Sequence, residues 1–359
     1  MFRLGLKRID DTVFIEGIRG FGPEEYASSV HGTQARILQT LKEPLSYDDL
    51  VSYSGFSFRA AVSELMCPSA AHPCCGFPCI DNGTRAIPWK MRLFENLPWE
   101  DGKPDPEAFR EDVCTAVRES IDRGIPVHYG SEEDGLIFGY GKEGRRWKCF
   151  HPYHEWGREA FWYDEAEGFA GGRWPWAVVV WTGRREPGEL TPSDELLKSA
   201  LAQAVEMWSA PEVGDQYLCG GEAYDFWIRW LQDIDEGGVE DPVSGMQGNG
   251  WYFDVLVHSR GIAGRWLAAR ADDVPEEAAE PLRSAAGLYS RMASELAGGL
   301  DCSWDLAPPP ERYGQWTAEM RREQVSRLCR ARELDGEAVA LVREALSLMG
   351  PSESRGSLS

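Results

Sequence analysis

The chain has 359 residues, enough for about two ordinary domains, and its 43% hydrophobic and 27% charged residues describe a folded polypeptide rather than a disordered one. A formal net charge of -22 argues against general nucleic-acid binding, because no excess of Lys and Arg exists to release phosphate counterions. No apolar run reaches the roughly 20 residues that cross a bilayer, so no membrane partner is expected.

The opening MFRLGLKRIDDTVFIEG lacks the apolar stretch and small-residue cleavage site of a signal peptide, which predicts a cytoplasmic location. The nine Cys, from Cys67 to Cys329, are an odd count, and in a reducing compartment most are expected as buried thiols rather than a disulfide frame. The fifteen Trp must mostly be buried or line a site.

In chain order, residues 12–18 (TVFIEGI) alternate as a short strand. Gly20, Gly22 and Pro23 break the chain before a helix over 24–41, with Tyr26, Val30, Ile37, Leu38 and Leu41 on one stripe. Lys42-Glu43-Pro44 stops it, and Ser46, with Asp49 three residues on, caps a second helix. Ser54-Gly55-Phe56-Ser57-Phe58-Arg59 reads as a glycine turn entering a strand, and 66–84 as a loop rich in Pro and Cys. A helix over 106–123 ends at Gly124 and precedes five short strands, IPVHYG, GLIFGYG, RRWKCFHPY, EAFWYD and WPWAVVVW, joined by glycine-containing turns as in an antiparallel sheet. Beyond a polar connector at 183–192 every long periodic segment is helical, and six helices are predicted without a fixed repeat. The last two are WTAEMRREQVSRLCRARELD and EAVALVREALSLM; Gly248-Asn249-Gly250 reads as a turn that starts the third. Residues 351–359 read as a disordered polar tail.

Two segments, SSVHGTQARILQTLKEPLSYDDLVSYSGFSFR (28–59) and IDRGIPVHYGSEEDGLIFGYG (121–141), resemble a bacterial family of papain-like proteins. That family includes bacteriocin-processing cysteine peptidases and the N-terminal domain of butirosin biosynthesis protein H. The first segment is similar to the family's nucleophile helix, second helix and following turn, the second to its Gly-x-Pro-Val strand and the strand ending in Gly-Tyr. Such chemistry needs a Cys at the helix start, its thiol pKa lowered by the helix dipole and a neighbouring His. The resemblance places Val30 where that Cys belongs, Asp134 at the His position and His151 at that of the orienting Asp or Asn. None matches, so the standard peptidase mechanism is expected to be absent. A slip of one residue would bring in Ser29 or His31 instead.

Other residues have a plain and a functional reading. Cys67, His72, Cys74, Cys75 and Cys79 form C-x6-C-C-x3-C, without the paired knuckles of a zinc site; they are a weak metal candidate beside ordinary loop packing. Cys74 or Cys75, beside His31 or His72, is an alternative nucleophile. Glu132-Glu133-Asp134 is a solvated turn, or an acidic wall that with His31 receives a ligand amine or guanidinium. His151 and His154 are loop histidines or a metal pair. Trp89, Trp99, Trp174 and Trp176, near prolines, are packed or floor a pocket, while Trp251, Tyr252, Val255 and Ser259 share a core-facing helix side. No G-x-x-x-x-G-K-[ST], H-E-x-x-H or G-x-S-x-G occurs, Gly248-Asn249-Gly250 is too short for a dinucleotide fingerprint, and no cofactor is expected.

The reading is an α+β protein: a papain-like domain at 1–185 and a helical domain at 190–350. The expected function is a catalytically degenerate cysteine-hydrolase-like protein binding a small peptide-like or amino-acid-like ligand through His31, Glu133 and Asp134. Its rivals are an active thiol hydrolase or acyltransferase using Cys74 or Cys75, and an interaction protein with no small ligand.

Overall fold

A computed structural model of the chain describes residues 5–77, 79–97, 106–164, 174–210, 212–213 and 216–350. Trp99 and the tail 351–359 lie outside them. In chain order the elements are β1 (Leu6–Ile9), β2 (Thr12–Ile15), α1 (Ser29–Leu41), α2 (Tyr47–Tyr53), β3 (Ala61–Ser63), α3 (Ile80–Ala86), β4 (Trp89–Glu95) and α4 (Pro106–Asp122). Then come β5 (Val127–Gly130), β6 (Asp134–Gly141), β7 (Arg146–Phe150), β8 (Phe161–Asp164), β9 (Ala177–Arg184) and α5 (Ser193–Ser209). The chain finishes with β10 (Glu212–Val213), β11 (Tyr217–Cys219), α6 (Gly220–Glu236), α7 (Pro242–Arg270), α8 (Glu276–Ala297) and α9 (Ala318–Leu348). Antiparallel sheet and helix are followed by a helical region, an α+β chain. None of the described helices is long and apolar enough to cross a membrane.

The chain divides into two compact units, 1–50 with 87–190, and 51–86 with 191–359. The second division thus lies close to the expected connector, but residues 51–86 group with the helices that follow it.

In the first unit the strands run β1-β2-β6-β5-β9-β4, each neighbour antiparallel, with β7 on the other edge of β6 and β8 beyond it. Strand β6 is buried along its whole length and pairs with β5, β2 and β7. Helix α4 carries Phe109, Val113, Val117 and Ile121 every fourth residue, and this stripe packs with Val13, Ile15, Val127, Tyr129, Ile137, Trp147, Val178 and Val180 as the core. Gly124, in the left-handed conformation (φ 79°), lies just past the helix end as expected. The Ser46 cap is reciprocal: Asp49 N–H donates to Ser46 Oγ (3.1 Å), and Ser46 N–H donates to Asp49 Oδ2 (3.0 Å). Trp89 donates its Nε1–H to Glu43 and packs near Trp181, while the Trp174 ring meets Trp147 edge-on, so both serve packing.

The second unit holds α5 to α9. Residues 51–86 join it because β3 pairs with β11, which in turn pairs with β10, and because Arg260 Nη1–H of α7 donates to the carbonyls of Ser57 and Arg59. The same guanidinium pairs with Asp335 of α9 at 2.5 Å, both side chains fully buried, and Tyr224 OH donates to the same carboxylate oxygen.

Three local expectations change. The last two predicted helices are one helix of 31 residues. Gly336 is helical, and a Cβ there would stand 3.1 Å from the Trp208 ring, so it is a contact point and not a break. Gly248-Asn249-Gly250 lies inside α7, which starts earlier at Pro242 behind the Asp241 cap. A Cβ on Gly248 would overlap the Met66 carbonyl oxygen, and one on Gly250 would stand 2.7 Å from that of Ala307. The loop predicted at 66–84 contains a 3-10 turn at Pro68–Ala71 and the start of α3.

Candidate functional site

The buried start of α1 meets the start of β6. Ser28, the residue before the helix, is extended, and its Oγ lies 2.6 Å from His31 Nδ1 one turn on rather than capping the backbone. Ser29 is fully buried. Its Oγ accepts the main-chain N–H of Asp134 at 3.0 Å and donates its own proton to Glu133 Oε2. Val30, the next residue on α1, is 1% exposed. A residue step is about 3.8 Å, so Val30 and Asp134 come to the same end of the sheet.

The β5–β6 hairpin supplies the other half. Gly130 pairs with Asp134 and His128 with Leu136, so His128 and Asp134 stand diagonally on one face. Gly130 has no side chain between them, and His128 Nε2 reaches Asp134 Oδ1 at 2.5 Å. On the opposite face Gly135 leaves room for Tyr129, which stacks on His151 (centroids 5.7 Å apart, 19° between planes).

His151 follows β7 and is 1% exposed. Tyr153 N–H donates to its Nδ1 (3.2 Å), so in the neutral ring Nε2 carries the proton. Burial pushes the His151 pKa down to about 4, against the smaller opposing pull of the Glu133 main chain and the Asp134 charge. His151 is therefore a neutral imidazole at pH 7. His154, by contrast, is exposed and packs on Phe161, so the two do not form a metal pair.

The structure brings together Ser29, Val30, Glu133 and Asp134, and adds His128, Ser28 and Tyr129, which the sequence reading had not named. A hairpin register would have revealed His128, since a His and an Asp six apart around a three-residue turn share a face. Chemically the cluster contains acceptors, hydroxyls and imidazoles but no thiol. Cys149, the cysteine of β7, lies in the core with burial pushing its thiol pKa well up. The Ser29 hydroxyl is held by a carboxylate, a far weaker base towards a hydroxyl than imidazole.

Residues 67–79 belong to the second unit and are organised around Arg59. Its guanidinium donates to the carbonyls of His72 (2.8 Å), Ala70 (2.6 Å) and Cys75 (2.5 Å). Cys67 and Cys74 are exposed, Cys75 is half-buried, and Cys79 is buried with its thiol pushed up to about 11 by burial. His72 Nδ1 accepts the Cys74 main-chain N–H (3.2 Å). Among the described residues no three His, Cys, Asp or Glu side chains converge to hold a metal.

No family model matches the chain, and no curated protein matches it.

Proposed function

We propose that the chain is a catalytically degenerate papain-like protein, cysteine-hydrolase-like in ancestry, that binds a small peptide-like or amino-acid-like ligand without cleaving it. One observation carries the reading: the start of α1 and the start of β6, where the family's thiolate and imidazole would meet, are joined by Ser29 hydrogen-bonded to Glu133 and to the Asp134 main chain. The acidic pair, Glu133 and Asp134, supports a cationic ligand group, since a carboxylate pairs strongly with an amine or guanidinium. The ligand class is thus a basic amino acid or a short peptide with a basic residue.

A second reading, an interaction protein with no small ligand, is favoured by one observation. Ser29, Val30, His31 and His151 are each at most 1% exposed, so the network also serves as packing.

Thermal-shift titration with arginine, lysine, neutral amino acids and short basic peptides tests both. The ligand reading expects stabilisation by basic compounds alone, lost in Glu133→Gln. Stabilisation by none supports the second reading. Peptide turnover, or rapid iodoacetamide labelling of Cys74 or Cys75 that His72→Ala or His31→Ala abolishes, overturns both in favour of a thiol hydrolase or acyltransferase.

A further inference from the structure

The cysteine-rich loop of the second unit holds a feature that the proposed ligand site does not use. Exposed Cys67 Sγ lies 3.1 Å from Ser69 Oγ, and Ser69 Oγ lies 3.3 Å from the Tyr217 hydroxyl. From the other side the chain passes directly over the same tyrosine: a Cβ on Gly76 would stand 3.1 Å from Tyr217 Cβ. The half-buried Cys75 that precedes Gly76 presents its thiol to the Tyr217 hydroxyl. Two thiols eight residues apart therefore approach one phenol, Cys67 through the Ser69 hydroxyl and Cys75 at the Tyr217 hydroxyl itself.

The backbone under them is fixed. Arg59 holds the carbonyls of Ala70, His72 and Cys75, and Tyr252 OH donates to the Cys67 carbonyl. Ser63 N–H in turn donates to Tyr252 Oη at 3.3 Å, tying the turn to β3. Of the other cysteines of this unit, Cys79 and Cys219 are set apart by burial, which pushes their thiols up, while Cys74, Cys302 and Cys329 are exposed. An exposed thiol with a second thiol near it is the arrangement that oxidises to a disulfide instead of proceeding to sulfinic acid.

We propose that Cys67 and Cys75 form a peroxide-oxidisable pair that closes to a disulfide across Tyr217. In the first step the Cys67 thiolate sulfur attacks one oxygen of hydrogen peroxide, the O–O bond breaks, and hydroxide leaves to become water with the thiol's proton. Cys67 is then a sulfenic acid. In the second step Cys75 sulfur attacks the Cys67 sulfur, the S–S bond forms and the S–O bond breaks, and the departing hydroxide takes the Cys75 proton as a second water. Two thiols lose two electrons in all and one peroxide is reduced to two waters. The Ser69 hydroxyl lies beside the Cys67 sulfur and the Tyr217 hydroxyl beside the Cys75 thiol, and both move aside as the bridge closes.

The test uses the reduced full-length chain, treated with hydrogen peroxide, its remaining thiols blocked with N-ethylmaleimide, and analysed by intact mass and fragmentation without reduction. The expected result in the wild type is that Cys67 and Cys75 take no N-ethylmaleimide and are joined in one cross-linked fragment, with a loss of about 2 Da against its reduced parts for the two hydrogens removed. That loss persists in Cys74→Ser. It disappears in Cys75→Ser, where dimedone traps Cys67 as its sulfenic acid. A bridge mapped to Cys74, a loss that survives Cys75→Ser, disulfide-linked dimers in place of the internal bridge, or no loss in the wild type overturns the proposal. The wild-type map decides even if a variant fails to fold.

Discussion

The Ser29 hydroxyl accepts the main-chain N–H of Asp134 at 3.0 Å while donating to the Glu133 carboxylate, so one side chain joins the first turn of α1 to the first residue of β6. Both ends of this link are buried, and a buried donor left without a partner costs about 1–3 kcal/mol. Ser29→Ala should destabilise the protein by that amount, and Ser29→Thr by less where the hydroxyl keeps its place. Urea unfolding followed by tryptophan fluorescence measures the difference; an unchanged midpoint for Ser29→Ala would mean that the link carries no stability.

His151 gives a pH dependence with a definite sign. Its folded pKa, about 4, lies below the ordinary value of 6.5 because burial penalises the charged ring. Between these values the unfolded chain binds the proton more readily, so stability is full above about pH 6.5 and declines as pH falls towards 4. The lost contribution is about 3 kcal/mol for a gap of this size. Melting temperature measured across that window should fall more steeply in the wild type than in His151→Gln. Parallel curves would show that His151 is not the group responsible.

Arg260 and Asp335 form a pair with both side chains at 0% exposure. Removing one partner leaves a buried charge, typically a cost of about 3–5 kcal/mol. Arg260 also holds the carbonyls of Ser57 and Arg59. Asp335→Ala is therefore expected to be strongly destabilising, and Arg260→Met combined with Asp335→Leu less so than Asp335→Ala alone. Chemical denaturation of Arg260→Met, Asp335→Leu and the double variant forms the cycle; additive effects would remove the coupling.

Gly248 lies inside α7, where the Met66 carbonyl occupies the space of a Cβ. In a solvent-facing helix position Gly→Ala adds about 1 kcal/mol of helix propensity. Here the clash is with backbone, and overpacking costs about 1–3 kcal/mol. Gly248→Ala should lower the melting temperature, whereas Gly287→Ala in α8, where a Cβ would meet nothing within 4 Å, should raise it or leave it unchanged. A stabilising Gly248→Ala would contradict the close approach.

The sequence by itself determined those features whose causes lie within a few residues of one another. Ser46 and Asp49 are three apart and cap reciprocally, the four-residue spacing of Phe109, Val113, Val117 and Ile121 makes the buried side of α4, and the alternating segments from 127 to 184 became strands. Short-range backbone hydrogen bonding and side-chain periodicity are local physics. Only the tertiary structure decided what distant residues settle between them. The last two helices read as separate and Gly248 as part of a turn, until the Trp208 ring is found beside Gly336 and the Met66 carbonyl beside Gly248. Residues 51–86 look continuous with what precedes them until β3 finds β11 and Arg260 finds the Ser57 carbonyl. Likewise Arg59 reads as one residue of a turn until the carbonyls of Ala70, His72 and Cys75 converge on its guanidinium. The site follows the same division: the acidic turn was legible, but His128 became the partner of Asp134 only through the hairpin register, and Ser29 the link to β6 only through packing of α1 on the sheet. Such contacts depend on which surfaces meet, and no spacing within a segment encodes that.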